Sequence, residues 1–184
     1  MRKPAEPTLC HHGFTAKPVQ SFTLIPMQTS AAGATAGLIG GFIMSSIMII
    51  GRRTGCLHPT LNEHAENWLD RTFDTRNTMG SLGTTALALA THMATSGLLG
   101  VGYANSRRYS QRMRPVVSGA LFGGALYLID IVLAAPLIGI TCGEHNERPS
   151  VALQRLATHV IFGIATALAA ERLTEQKATS LRLR

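Results

Sequence analysis

The stretch AAGATAGLIGGFIMSSIMII, residues 31–50, runs for twenty residues without a charged side chain. Three further stretches, 80–104, 116–140 and 150–171, are at least as long and carry at most two charged residues each. An α-helix rises about 1.5 Å per residue, so about 20 residues cross a hydrocarbon core of about 30 Å. The sequence therefore predicts an all-α, polytopic membrane protein with four transmembrane helices.

The composition supports this class. Of the 184 residues, 46% are hydrophobic and only 15% are charged, with a mean hydropathy of +0.17. This is more apolar and less charged than an ordinary soluble domain. The apolar runs are continuous, whereas strands of a membrane β-barrel alternate apolar and polar residues. Helices embedded in a lipid bilayer are the structure that fits both observations.

The distribution of charge predicts an orientation. If there are four spans, the segments 1–30, 105–115 and 171–184 share one side, and together they hold eleven basic and three acidic residues. The opposite segments, 51–79 and 141–149, hold five basic and six acidic residues. Excess Lys and Arg marks the cytoplasmic side. We therefore expect both termini in the cytoplasm, and the net charge of +7 needs no nucleic-acid partner to explain it.

The domain organisation follows from these segments. Four prolines interrupt residues 1–30, which we expect to form a largely irregular cytoplasmic tail. Residues 31–172 form the transmembrane domain, and residues 173–184 form a second, basic cytoplasmic tail.

A short amphipathic helix is predicted near 60–73, on the periplasmic side. Thr60 and Glu63 have capping-box spacing. Apolar residues then share one helical face, namely Leu61, Ala65, Trp68 and Leu69. Such a helix can cover the bundle as a lid or offer a docking surface to a partner protein.

Small residues recur every four positions in two of the spans. They are Gly33, Gly37 and Gly41 in the first span and Gly119 and Gly123 in the third. This spacing lets helix backbones approach closely in membranes. We expect these glycines to serve helix packing.

The four spans also show an internal similarity. The tetrapeptide Leu-Ala-Thr-His ends at His92 in the second span and at His159 in the fourth. A glycine pair occupies 40–41 in the first span and 123–124 in the third. The pattern is typical of a duplicated helical hairpin, arranged as a parallel repeat.

Three ionisable residues fall near the middle of their spans: His92, Asp130 and His159. A charge at the bilayer centre costs at least about 2.5–3.5 kcal/mol on insertion scales, so such residues usually face a partner or a wet cavity. We therefore expect the three side chains to share one space. The same helical faces add Ser96, Tyr127 and Arg155 to this candidate site.

Several uses of this cluster stay open. It can handle protons, ions or a small polar solute, which is the function we favour. It can instead hold a divalent metal through His92, His159 and Asp130, or a bis-histidine haem b with Gly163 leaving room for the porphyrin. It can also be a structural contact in an accessory membrane subunit. Common enzyme motifs do not occur, which argues against an enzyme.

Two cysteines follow the first and third spans on the predicted periplasmic side. Cys56 and Cys142 are candidates for a disulfide bond in that oxidising compartment. Free thiols are an alternative. A zinc site with His58 and His145 as additional ligands is a third.

The sequence resembles the YagU-like family of bacterial inner-membrane proteins. The resemblance rests on ATAGLIGGFIMSSIM at 34–48, HVIFG at 159–163 and Pro136, within residues 31–172. It implies a four-span protein of the bacterial inner membrane without known catalytic residues. Apart from this resemblance, the four predicted spans lead us to expect the lipid bilayer as a partner, together with a second copy of the chain or another subunit of a membrane complex.

Overall fold

The computed structural model describes residues 27–57, 61–107, 109–110, 112–141 and 147–182. Helices make up almost all of these residues, and no β-strand occurs among them. The helices are α1 (Met27–Arg53), α2 (Leu61–Phe73), α3 (Thr75–Arg107), α4 (Pro115–Leu137) and α5 (Pro149–Arg182). The prediction of an all-α protein is confirmed.

Three of these helices are long and apolar enough to cross a membrane. They supply the segments Ser30–Arg53, Pro115–Leu137 and Pro149–Glu175. Helix α3 is long enough, but hydroxyl and imidazole side chains between residues 84 and 96 dilute its apolar character. Among the described residues the structure thus shows three apolar helices of membrane-spanning length, which suits a membrane protein.

The long helices pack as a bundle. Helix α1 contacts α3 on one side and α5 on the other, and α5 also contacts α4. Buried side chains of α1, α4 and α5 form the core: Met44, Met48, Leu126 and Phe162. Large apolar side chains also point outward, such as Phe42 and Leu98, which are 68% and 73% exposed. An apolar outer surface of this kind fits a bundle surrounded by lipid.

Glycines bring the helices together in two pairs. A β-carbon added to Gly37 of α1 would lie 2.0 Å from the carbonyl oxygen of Ser96 in α3. One added to Gly123 of α4 would lie 2.2 Å from the carbonyl oxygen of His159 in α5. Only glycine permits such contacts between a helix and a neighbouring backbone. This is the role that the four-residue spacing predicts.

The two helix pairs resemble each other in their contacts. Gly37 lies against Ser96 and Gly100, whereas Gly119 lies against Gly163 and Ala167. Since His92 aligns with His159, these contacts occupy matching places in the two hairpins.

The matching glycines are not the ones that the sequence repeat suggests. By contact, Gly41 corresponds to Gly123, so the alignment of 40–41 with 123–124 is wrong by one residue. Gly40 faces Thr166 of α5, whereas no atom of the described residues lies within 4 Å of a β-carbon on Gly124. A shift of one residue turns a helical position by about 100°, so identical dipeptides can face different neighbours.

Helix α2 lies across one end of the bundle, where the sequence predicts a short amphipathic helix. Its Trp68 Nε1–H donates a hydrogen bond of 2.9 Å to the carbonyl oxygen of Ile138, at the end of α4. The turn into α3 is fixed by Asp70, which accepts a hydrogen bond of 2.8 Å from the backbone N–H of Arg76. These contacts favour the interpretation of α2 as a lid.

Candidate functional site

His159 is held rigidly inside the α4–α5 pair. Its side chain is buried, and the Nδ1–H group bonds to the carbonyl oxygen of Arg155 at 2.8 Å, one turn earlier in α5. The neutral ring therefore carries its proton on Nδ1 and its lone pair on Nε2. The Tyr127 ring packs edge-on at a centroid distance of 6.0 Å. His159 is thus oriented as a proton or hydrogen-bond acceptor.

His92 lies on the other side of the bundle, in α3. Its ring contacts the backbone of Gly41, while its buried Nε2 atom has no hydrogen-bond partner in the described part of the chain. The imidazole interacts electrostatically with both His159 and Asp130. A charge on His159 or on Asp130 would therefore act on the His92 imidazole.

Asp130 occupies an unusual backbone. Residues Leu128–Ala134 form a π-helical turn within α4, and the N–H of Ala135 donates to the carbonyl oxygen of Asp130. Pro136 follows directly, and a proline cannot donate the regular bond to the residue four positions earlier. The wider π turn accommodates Pro136 within the helix. Such turns recur at functional sites.

This turn changes which residue faces inward. In a regular α-helix Asp130 would share a face with Tyr127, as the sequence predicts, and also with Gly119 and Gly123. In the structure Ile131 is fully buried at this level, and Asp130 is half-buried beside it. The wider π turn therefore brings Ile131, and not Asp130, to the most buried position on this face of α4.

Arg155 is a further buried polar residue, one turn before His159 and near the beginning of α5. Its side chain is only 5% exposed and forms an ion pair of 3.1 Å with Glu147, which is 31% exposed. Since Arg155 lies one turn from His159, the three residues form a polar column along one side of α5. Glu147 was missed by sequence reasoning because no spacing rule connects it to Arg155.

Two other polar residues of α3, Ser96 and Tyr103, make contacts that join helices. Ser96 is buried, and its side chain lies against Gly41 where α1 meets α3. Tyr103, also buried, shares a hydrogen bond of 2.8 Å with the Ser118 hydroxyl and so links α3 to α4. Ser96 therefore belongs to the helix interface.

The geometry does not favour the metal or the haem hypothesis. The described residues contain no group of three His, Cys, Asp or Glu side chains that could hold a metal ion, so His92, His159 and Asp130 do not form one. The space expected beside Gly163 for a porphyrin is filled by α4. A β-carbon on Gly163 would lie 2.1 Å from the carbonyl oxygen of Gly119. That expectation of room beside Gly163 was wrong.

The cysteine predictions lie mostly outside the described residues. Cys56 is exposed, with its Sγ atom 3.9 Å from the carbonyl oxygen of Thr54. Cys142, His58 and His145 are not among the described residues. The disulfide and the zinc site stay predictions.

Comparison with known proteins adds no relative. No protein-family model matches the sequence, and no curated protein or solved structure shows significant similarity to it. The resemblance to the YagU-like family remains a prediction from short motifs.

Proposed function

We propose that α3 is a fourth membrane-spanning helix. It runs beside α1, with Gly33, Gly37 and Gly41 packed against it over more than two turns. Because α1 has the length and hydropathy of a span, a helix packed along it must lie at the same depth. On this proposal both termini lie in the cytoplasm of a bacterium, as the basic segments indicate.

The proposed function is the transfer of protons through the bundle, with other ions or a small polar solute as broader alternatives. The observation that carries it is the buried Nε2 atom of His92, on an imidazole that lies within electrostatic range of His159 and Asp130. Imidazole and carboxylate groups exchange protons readily, and chains of such groups serve as relays inside membranes. The unpartnered Nε2 of His92 leaves a position for a water molecule or a proton donor.

The remaining polar residues suggest a route. Glu147 and Arg155 form the ion pair at one end of α5, and His159 follows one turn deeper. From there the relay would pass to His92 and Asp130. Arg155 carries a permanent charge, so the proposed relay uses the imidazoles and carboxylates as the groups that change protonation.

The test is proton flux into liposomes that contain the purified protein and an entrapped pH-sensitive dye, driven by a potassium diffusion potential. We expect flux from the unmodified protein and its loss in His92→Gln, His159→Gln and Asp130→Asn. His64→Gln, a change in helix α2, serves as the matched histidine control and should keep the flux.

The competing function is that of a structural subunit. It is favoured by the hydrogen bond of His159 within its own helix, which a purely structural residue would also make. In that case neither the unmodified protein nor any of its variants shows proton flux, and His159→Gln lowers only the thermal stability. This outcome would contradict the relay.

A further inference from the structure

A groove runs between α1 and α5 on the outside of the bundle. It has a volume of about 440 Å³ and an almost entirely aliphatic lining that ends at one charged residue, Arg172. The lining comprises Ile39 and Ile43 of α1, and Ile161, Leu168 and their neighbours in α5. We infer that this groove binds one acyl chain of an anionic phospholipid, with Arg172 bound to its phosphate. The inference rests on α1 and α5 spanning the membrane and is independent of proton transfer.

The length of the groove matches a lipid. Along α5 the lining extends from Ile161 to Arg172, which lies eleven positions later, or about 16 Å along the helix. Half of a hydrocarbon core of about 30 Å is about 15 Å, the depth of one leaflet. A chain lying in the groove would therefore reach the middle of the bilayer from a headgroup at Arg172.

The position of Arg172 agrees with this. The apolar segment of α5 ends at Glu175, which places Arg172 near the level of the headgroups. The groove itself lies between two spanning helices, where the surroundings are hydrocarbon.

Arg172, the charged residue of the groove, favours a lipid with an anionic headgroup. The Arg172 side chain is 83% exposed, and its Nη1 atom lies 4.0 Å from Glu175 Oε2. An exposed pair at this distance contributes at most about 1 kcal/mol, so a phosphate can compete for the guanidinium. Arg binds phosphate through two parallel hydrogen bonds, and basic pockets between membrane helices hold anionic headgroups.

Two small residues provide the room for the acyl chain. Ala165 and Ala169 lie on the same face of α5 as Ile161 and Arg172. Replacing both alanines with leucine would fill the groove without adding charge. This substitution separates the apolar part of the proposed site from its cationic end.

The experiment is native mass spectrometry of the full chain released from nanodiscs that contain equal amounts of phosphatidylglycerol and phosphatidylcholine. We expect one retained lipid per chain, mostly phosphatidylglycerol. Arg172→Gln should reduce the preference for phosphatidylglycerol about fivefold, as expected for one basic residue near a membrane surface. The double variant Ala165→Leu, Ala169→Leu should lose the retained lipid. Arg112→Gln, an exposed arginine away from the groove, is the control and should bind as the unmodified protein does.

Three results would overturn the inference: no retained lipid, equal retention by the filled variant, or a preference that is unchanged in Arg172→Gln. A fourth is a disulfide-linked dimer of Ile43→Cys in native membranes, in a protein whose own cysteines are replaced by serine. That result would mean that a second copy covers the groove. A proton-flux defect does not bear on these outcomes, so the two proposals fail separately.

Discussion

Gly37 and Gly100 bring the backbones of α1 and α3 into direct contact. A β-carbon on Gly37 would lie 2.8 Å from Gly100 Cα, and one on Gly100 would lie 2.6 Å from Gly37 Cα. Neither position has room for a methyl group unless the helices separate. This contact places α3, and with it His92, beside the span α1.

Gly100→Ala should therefore destabilise the protein. The added methyl group would meet the Gly33 carbonyl oxygen at 2.2 Å, so we expect a loss of about 1–3 kcal/mol, typical of overpacking. Gly102→Ala in the same helix is the control, because its β-carbon has no neighbour within 4 Å in the part of the chain that the structure describes. It should be neutral or stabilising by up to about 1 kcal/mol. Unfolding of detergent-solubilised protein by sodium dodecyl sulfate measures both, and equal effects would refute the contact.

The second hairpin offers the same comparison. Gly123→Ala would push α4 away from the His159 carbonyl, whereas Gly124→Ala has open space. We expect a lower midpoint of thermal unfolding for Gly123→Ala alone. The reverse order would support the equivalence of 40–41 with 123–124 that the sequence repeat suggests.

The sequence predicts the helices of this fold and the residues through which one of them packs closely. Long apolar runs predict helices, and Gly33, Gly37 and Gly41 predict a close contact, because both depend only on residue type and helical spacing. The sequence does not predict which residues of a neighbouring helix such a glycine face contacts. Gly100 and Gly163 complete the two contacts from other helices, and only the assembled bundle shows which residues meet.

The ion pair of Arg155 and Glu147 should contribute to stability. We expect Arg155→Met and Glu147→Gln each to lower the unfolding free energy, since the arginine is buried. The double variant should lose less than the sum of the two, with a coupling energy of about 0.5–3 kcal/mol. A double-mutant cycle in detergent measures this coupling. Strictly additive losses would show that the two charges do not interact.

Helix α2 should loosen when its tie to α4 is removed. Trp68→Phe keeps an aromatic ring but loses the hydrogen bond to Ile138, worth about 0.5–1.5 kcal/mol. We expect faster amide hydrogen exchange in Leu61–Phe73 and unchanged exchange in α5. Thr72→Ser, a change at an exposed position of the same helix, leaves this bond intact and provides the comparison. Unchanged exchange in the Trp68 variant would mean that α2 is held by other contacts.

The sequence predicts only part of the candidate site. Counting along each predicted span places His92, Asp130 and His159 near its middle, and this part of the site stays a prediction. The inward face of Asp130 does not, because counting assumes a regular α-helix and Pro136 is accommodated by a π turn. The pairing of Arg155 with Glu147 depends on how the chain enters α5, for which the sequence gives no rule.

The proposed proton relay requires α3 to cross the membrane, since His92 otherwise does not lie at the depth of His159. The direct measurement labels single cysteines with a membrane-impermeant maleimide in bacterial spheroplasts, after the native cysteines are replaced by serine. Asn67→Cys lies before α3 and Tyr109→Cys lies after it, and both positions are exposed. We expect position 67 to react in intact spheroplasts and position 109 to react only after permeabilisation. Labelling of both positions from the same side would contradict the four-span bundle and the site within it.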